Sequence, residues 1–359
     1  MTKTMKTAWR AAVAAAAALL AGTALSASAL AADAPSVIRL GGQGAGFGKP
    51  YGTGIIGTLQ AKGFLEDEFK ADGIRIEWTF FTGTGPAINE AIANKLLDFA
   101  NYGGLPNIVG RAGGLKTRIV ASYGVGTIYV AARKGLPIAS IKDLKGRRVA
   151  VAKGTINHLS MNRLLTDNGL TEKDLQIVHL TAPDQLAALS SGDVDAAFGS
   201  INFLGLRDKG IVDIVADTKG PPQPASFFGA LTVHEDFAAA YPDHTRRVVK
   251  AFVKAAHWSS LEENREALID LWSLSGSPRA ALAEDLAGQD LAQRNNPRID
   301  GFYRAQYVNA VAFAQENRLI RAPIDLDAWI DPSFLDAALK ELKLDSVWPE
   351  RGDDGKPKS

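Results

Sequence analysis

The stretch from Asp143 to Leu165 reads DLKGRRVAVAKGTINHLSMNRLL, and it contains the pattern that decides the fold. The apolar run Arg148–Ala152 predicts a buried strand, and the helix predicted from Asn157 carries its leucines on one face. A strand that enters a helix through a tight Gly-Thr turn leaves the first backbone N–H groups of the helix unpaired at the carboxyl edge of the sheet. The stretch therefore predicts a site for an anionic or strongly polar ligand.

The charge of the chain is almost balanced, with 40 basic and 39 acidic residues. Nucleic-acid-binding proteins normally have a basic excess, so this balance argues against a nucleic-acid partner. A chain of 359 residues is too long for one small core, and two compact domains are expected.

The first residues have the pattern of a secretory signal peptide. Lys3, Lys6 and Arg10 precede the apolar run 11–25, and Ala29-Leu30-Ala31 forms a small-x-small cleavage site. We predict cleavage after residue 31 and export to the periplasm; a membrane anchor is the alternative, although the apolar run is short for a span. The chain contains no cysteine, so we expect neither a disulfide nor a lipid attachment, and a freely soluble protein.

A glycine-crowded loop, GGQGAGFG at 41–48, follows the first predicted strand. Neither nucleotide-binding template fits it, because a G-x-G-x-x-G pattern requires glycine where Phe47 or Lys49 stands, and a phosphate loop requires a hydroxyl residue where Pro50 stands. The loop is then either a simple turn or a ligand loop in which Gln43 donates a hydrogen bond.

The rest of the chain repeats the strand, turn and helix unit. Phe81–Pro86 resembles the opening stretch, with Thr84 either capping a helix or contacting a ligand. Strands predicted at 148–152, 176–180, 194–198 and 211–215 alternate with helices, which predicts parallel pairing in an open sheet covered on both faces. We expect residues past Asp236 to be almost wholly helical and the polar tail 351–359 to be disordered.

These residues together resemble a known family. Gly63-Phe64-Leu65, Gly73–Trp78, Phe81–Pro86, Asp98–Pro106, Asp143–Gly146, Lys153-Gly154-Thr155 and Ser191–Ala196 are similar in order and spacing to segments of the periplasmic aliphatic-sulfonate, nitrate and taurine binding proteins of ABC importers, within the thiamine-precursor-binding-like superfamily. The resemblance runs from about Val37 to Trp272.

The resemblance implies a two-lobed α/β periplasmic binding protein of type II, in which each lobe is an open sheet flanked by helices. Lobe I would comprise residues 32–128 and 228–350, lobe II would comprise residues 129–227, and the ligand cleft would lie between them. Such a protein closes on its solute by hinge motion and delivers it to a membrane permease with a separate ATPase. We expect it to be a monomer.

Carried over by position, the resemblance also implies a set of ligand loops. Their candidate binding residues are Gln43, Thr84, Gly85, Asn101, Gly103, Thr155, Asn157 and His158. Relatives usually have a tryptophan and an Asp-Pro pair after the strand ending at Phe198, whereas this chain reads GSINFL at 199–204. Loss of that aromatic surface would change the ligand preference, and Ser200 is placed to replace stacking with a hydrogen bond.

Patterns that would indicate an enzyme or a metal site are missing from the sequence. The five histidines, at 158, 179, 234, 244 and 257, form neither H-E-x-x-H nor another helical ligand pair, and there is no G-x-S-x-G. We therefore expect no metal, no cofactor and no catalytic residue. The alternatives are a secreted enzyme on the same fold acting on a pyrimidine-type molecule, with His158 as its only candidate base, and a ligand-sensing module that serves a membrane partner.

Overall fold

The computed structural model describes residues 34–45, 48–82 and 84–358, apart from the side chain of Thr84. The predicted signal peptide, residues 1–31, lies outside the described residues and stays a prediction. The strands are β1 Val37–Gln43, β2 Arg75–Phe81, β3 Phe99–Gly103, β4 Thr117–Gly126, β5 Tyr129–Arg133, β6 Arg148–Val151, β7 Gln176–His179, β8 Ala196–Gly199, β9 Val212–Asp217 and β10 Phe227–His234.

Helices cover most of the remaining chain. They are α1 Gly54–Ala61, α2 Phe64–Phe69, α3 Thr84–Ala93, α4 Gly104–Ala112, α5 Ile156–Asp167, α6 Ala182–Ser191, α7 Leu204–Asp208, α8 Glu235–Ala240, α9 Pro242–Ser260, α10 Arg265–Ser273, α11 Arg279–Leu286, α12 Leu291–Arg294, α13 Gly301–Glu316, α14 Leu326–Trp329 and α15 Ser333–Leu342. The predicted helical character past Asp236 is therefore confirmed.

The first sheet has the strand order β2-β1-β3-β10-β4. Strand β1 runs parallel to β2 and β3, so that Leu40 lies between Trp78 and Phe99. Strand β10 runs antiparallel to both β3 and β4. Because β10 is far from its neighbours in sequence, the first sheet is completed only when the chain returns after residue 226.

The second sheet has the strand order β7-β6-β8-β5-β9. Strands β6, β7 and β8 pair in parallel, as the alternation with helices predicted. The prediction was wrong for the strand at 211–215, since β9 pairs antiparallel with β5. Strand β5 follows the first sheet after a connection that is too short for a crossover helix, and it runs opposite to β6, β7 and β8. Because β5 lies between β8 and β9, β9 pairs with β5 and not with a parallel strand.

Two connections join the sheets. The chain leaves the first sheet at Gly126 and enters the second at Tyr129, and it leaves the second at Asp217 and returns at Phe227. Both sheets belong to one compact unit, Ser36–Ser359. The predicted boundaries of the two lobes stay a prediction, to which we return below.

Helices cover both faces of each sheet with apolar side chains. On one face of the first sheet Leu40 packs in the same cluster as Phe252 and Trp348, and Phe228 and Tyr307 belong to the cluster on the other face. Alternate residues of β6 point to opposite clusters of the second sheet in the same way. Burial of both faces explains why the central strands read as continuous apolar runs.

The polar tail is part of this fold, which corrects the prediction that it is disordered. Arg351 is only 6% exposed, and its Nε donates to Oδ2 of Asp300 at 2.7 Å. A backbone bridge joins Arg351 to Pro357. The sequence composition of the tail is polar, but the buried ion pair with Asp300 holds it against the start of α13.

Candidate functional site

A cavity of about 350 Å³ lies between the two sheets. Its walls include the segments that follow β1 and β2 of the first sheet and β6, β7 and β8 of the second sheet. The carboxyl ends of parallel strands are where α/β proteins usually bind ligands. The position of the cavity therefore identifies it as the candidate binding site.

Three helices begin at the wall of this cavity. Thr53, Thr155 and Thr181 are the N-cap residues of α1, α5 and α6, and all three line the cavity. None of these threonines accepts a hydrogen bond from its helix backbone; Oγ1 of Thr155 instead donates to the carbonyl of Ala152 at 2.6 Å. The uncapped N–H groups give this end of α1 and α5 a partial positive charge, which favours an anion. At α6 the carboxylate of Asp184 in the first turn, which accepts from Oγ1 of Thr181 at 2.5 Å, offsets that charge.

The turn before α5 has a local physical cause. Gly154 adopts φ +76°, in the left-handed region that other residues rarely adopt, and Thr155 then returns to an extended conformation. The chain can thus reverse direction between β6 and α5 within a few residues. The turn places the first residues of α5, with Asn157 among them, at the cavity wall.

Four of the predicted binding residues line the cavity: Gln43, Thr155, Asn157 and Ser200. Within the described part of the chain, the side-chain amides of Gln43 and Asn157 form no hydrogen bond with the protein, and both are half-buried. Each amide therefore keeps donors and an acceptor for a ligand. Contact between these residues and a ligand stays a prediction.

His158 does not line the cavity. Its ring is nearly buried, with Nε2 2.5 Å from Oε1 of Glu172, while the backbone N–H of Gly154 donates to Nδ1 at 3.3 Å. This hydrogen bond from His158 lowers the pKa of Glu172, although burial opposes the shift. Both ring nitrogens are paired within the protein, so the geometry does not support the expected ligand contact.

Asn101, Gly103 and Gly85 also lie outside the cavity wall. Asn101 is 1% exposed in the middle of the first sheet, where its Nδ2 donates to the carbonyl of Ala230 at 3.3 Å. A Cβ at Gly103 would lie 3.0 Å from Ile156, and one at Gly85 would lie 2.3 Å from Pro106. The two glycines thus permit close packing, and the side chain of Thr84 lies outside the part of the chain that the structure describes.

The aromatic surface of the cavity comes from residues that sequence reasoning missed. Tyr123, Phe203, Phe227 and Trp272 all line it. The rings of Tyr123 and Phe227 are 5.3 Å apart, and Nε1 of Trp272 donates to Oγ1 of Thr58 at 3.1 Å. Phe203 follows β8 directly, within the stretch 199–204 that lacks the tryptophan, whereas Tyr123, Phe227 and Trp272 reach the cavity from β4, β10 and α10, which no local pattern could reveal.

An ion pair forms part of the wall. Asp285 is 1% exposed; its Oδ2 accepts from Nη2 of Arg294 at 2.6 Å and its Oδ1 accepts from the hydroxyl of Tyr129 at 2.9 Å. Burial and the neighbouring Asp285 raise the pKa of Tyr129, so the phenol stays a proton donor. Both oxygens of Asp285 are thus occupied by protein donors.

Within residues 34–45, 48–82 and 84–358, no cluster of three or more histidine, aspartate or glutamate side chains is arranged to bind a metal ion. Among the same residues, no helix is both long and apolar enough to cross a membrane.

A family model described as NMT1/THI5 like matches residues 53–264. The crystal structure of a periplasmic sulfonate-binding protein from Methylobacillus flagellatus KT is similar to this chain, with 32% sequence identity and a TM-score of 0.78. The aligned region covers 88% of this chain and 97% of that protein. A Bacillus subtilis protein with the provisional name aliphatic sulfonates-binding protein is 28% identical over 283 residues, which are 78% of this chain and 83% of its own.

Desulfinase enzymes are also similar to the chain. The 2'-hydroxybiphenyl-2-sulfinate desulfinase of Rhodococcus erythropolis is 28% identical over 180 residues, which span 48% of this chain and 47% of the enzyme. The aligned segment is thus about half of each protein.

Proposed function

The chain belongs to the NMT1/THI5-like family, and from this we propose that it is the solute-binding component of an ABC importer for a small anionic or polar organic solute of the sulfonate, nitrate or taurine type. Its fold is the predicted type II periplasmic binding protein fold, with two mixed sheets flanked by helices. The sulfonate-binding relatives support a sulfonate-like solute.

The observation that carries this proposal is the meeting of the uncapped N-termini of α1 and α5 at one cavity. Each N-terminus stabilises an anion by about 0.3–1 kcal/mol when exposed, and by up to about 2 kcal/mol when partly buried. Micromolar affinity requires about 8 kcal/mol. Direct hydrogen bonds, from Gln43, Thr155, Asn157 and Ser200 in our proposal, must therefore add to the helix N-termini.

We further propose that the two sheets form separate lobes that close on the solute. In this proposal, residues 32–128 and 228–350 form lobe I and residues 129–227 form lobe II, with the two inter-sheet connections as the hinge. Hydrogen bonds already join the two proposed lobes, among them one from Nδ2 of Asn202 to the carbonyl of Ala45 at 3.4 Å and one from the hydroxyl of Tyr129 to Oδ1 of Asp285 at 2.9 Å. A bound solute would add contacts on both sides and favour the closed state.

The proposed location is the periplasm, after export by the predicted signal peptide and its cleavage near residue 31. There the closed protein, as a monomer, would deliver its solute to an inner-membrane permease with its ATPase. Genes for a permease and an ATPase next to this gene would support import over the sensing alternative.

The desulfinase relative keeps an enzyme as the second candidate. The chain has no cysteine to act as a nucleophile, and His158 lies outside the cavity. His179 does line the cavity, and its Nδ1 accepts from the backbone N–H of Lys153 at 3.0 Å. Turnover of an aryl sulfinate that is lost in His179→Ala would favour the enzyme.

Calorimetric titration of the purified protein tests the proposed function. We expect methanesulfonate, 1-butanesulfonate, taurine or nitrate to bind with micromolar or tighter affinity. Methanesulfonamide has a similar shape without the charge, and we expect it not to bind. If none of the anions binds, the proposed function is wrong.

A further inference from the structure

Part of the cavity wall lies beyond the segment that the family model matches. That match ends at residue 264, whereas the wall also contains Trp272, Ser277, Leu282, Asp285, Arg294 and Asn295. These residues come from α10, α11, α12 and the segments beside them. Among these six residues, Arg294 is the basic one and Asp285 the acidic one.

Arg294 has more donors than its protein partners use. Its Nη1 donates to Oε1 of Gln289 at 3.0 Å and to Oγ1 of Thr127 at 3.4 Å, and its Nη2 donates to Asp285. A guanidinium has five N–H donors. Among the described residues, the Nε–H and one Nη2–H therefore have no acceptor, although the side chain is only 12% exposed.

The surroundings hold this guanidinium in one place. Gly124 adopts φ +88°, and a Cβ there would lie 2.4 Å from the carbonyl oxygen of Arg294, so the glycine allows the end of α12 to pack on β4. The ring of Trp272 lies 5.8 Å from Cζ of Arg294. A donor group that is fixed before binding loses little conformational entropy when a ligand arrives.

The two members of the ion pair, which both line the cavity, differ in exposure and in the hydrogen-bonding groups that they leave unpaired. Asp285 is 1% exposed and both its oxygens accept hydrogen bonds from protein groups, whereas Arg294 is more exposed and keeps two donors. The negative charge of Asp285 therefore offsets the positive charge of Arg294 for a solute that is far from the pair. A solute in contact with the pair meets the unpaired N–H donors of Arg294. Such a surface suits an oxyanion.

We propose that Arg294 is the side chain that binds the anionic group of the solute, through its Nε–H and its free Nη2–H. The planar guanidinium matches a group with two oxygens on one atom, such as a sulfonate or a carboxylate. This inference rests on the proposed function and deepens it: the helix N-termini make the potential of the cavity positive, and Arg294 supplies the directional contact. Asp285 is then a positioning residue.

Titration of the full-length protein with methanesulfonate and 1-butanesulfonate tests this assignment. Arg294→Gln removes the charge and the planar pair of guanidinium donors, and we expect Kd to rise about 100-fold. Arg294→Lys keeps the charge and the pairing with Asp285 but loses the planar pair of donors, and we expect a rise of about 10-fold.

Arg351→Gln is the matched control. Arg351 also forms a buried pair with an aspartate, Asp300, at 2.7 Å, but it does not line the cavity. We expect this control to lower the melting temperature and to leave Kd unchanged.

Unchanged Kd values in both Arg294 variants, or an equal rise in Arg351→Gln, would overturn the assignment while the proposed function stands. If Arg294→Gln does not fold, Arg294→Lys decides. Absence of binding by the wild-type protein to either sulfonate, with taurine and nitrate also inactive, would overturn the proposed function and the assignment with it.

Discussion

Nη1 of Arg163 donates a hydrogen bond of 2.7 Å to Oε1 of Gln306. The bond joins α5, whose N-terminus faces the cavity, to α13 near the end of the chain. The same guanidinium also donates to the carbonyl of Pro224 and lies 5.6 Å from the ring centroid of Phe228. Burial lowers the pKa of Arg163 to about 10, so the side chain is still cationic at neutral pH.

Arg163→Ala should therefore destabilise the protein. The substitution leaves Oε1 of the buried Gln306 without its donor, and an unsatisfied buried acceptor costs about 1–3 kcal/mol, whereas the carbonyl of the exposed Pro224 can accept from water. Urea unfolding measures the loss. Arg321 is exposed, so Arg321→Ala should change the free energy of unfolding by less than about 0.5 kcal/mol; equal stabilities of the two variants would contradict the prediction.

Two glycines with similar backbone angles provide a second test. Gly114 has φ +93°, and a Cβ added there would meet no described atom within 4 Å, whereas at Gly124, with φ +88°, a Cβ would lie 2.4 Å from the carbonyl oxygen of Arg294. Gly114→Ala should cost only the backbone strain of about 1–2 kcal/mol. Gly124→Ala should cost more and should also weaken sulfonate binding, because it displaces Arg294. Thermal melting and titration of both variants separate the two effects.

The pair of His158 and Glu172 predicts a dependence of stability on acid. The pKa of Glu172 is lowered in the folded protein by the hydrogen bond from His158, so its ionised form contributes stability above the unfolded pKa. That contribution is lost as the pH falls below about 4.3 and through the folded pKa.

Glu172→Gln should therefore be less stable than the wild-type protein at pH 7, by about 1 kcal/mol for a partly exposed charged hydrogen bond. The difference should shrink as the pH is lowered toward 3. Urea unfolding at several pH values measures it. A difference that stays constant between pH 7 and pH 3 would show that the carboxylate charge is not involved.

Asn157 provides a test of the cavity wall. Its side chain lines the cavity and forms no hydrogen bond within the described part of the chain, so Asn157→Ala should scarcely change the melting temperature. Loss of a hydrogen bond to an anionic ligand should raise Kd for 1-butanesulfonate about 10-fold or more. Asn317, an exposed residue at the end of α13, supplies the control Asn317→Ala, which should bind as the wild-type protein does.

The sequence alone determined those helices, strands and turns that depend only on residues close together along the chain. The run Arg148–Val151, the glycine turn and α5 could be predicted because apolar periodicity, a positive φ at Gly154 and the N-cap position of Thr155 are local properties. The resemblance to a family of two-lobed binding proteins was confirmed for the same reason, since it rested on the order and spacing of such units.

Tertiary structure decided what faces the cavity. His158 and Asn157 are adjacent in sequence, but on a helix their side chains point about 100° apart. His158 pairs with Glu172 away from the cavity, and Asn157 is the one that lines the cavity. Trp272, Asp285 and Arg294 reach the cavity from segments far along the chain from Thr155, because the returning chain packs between the two sheets. Contacts at that separation depend on the whole fold, and no local pattern in the sequence encodes them.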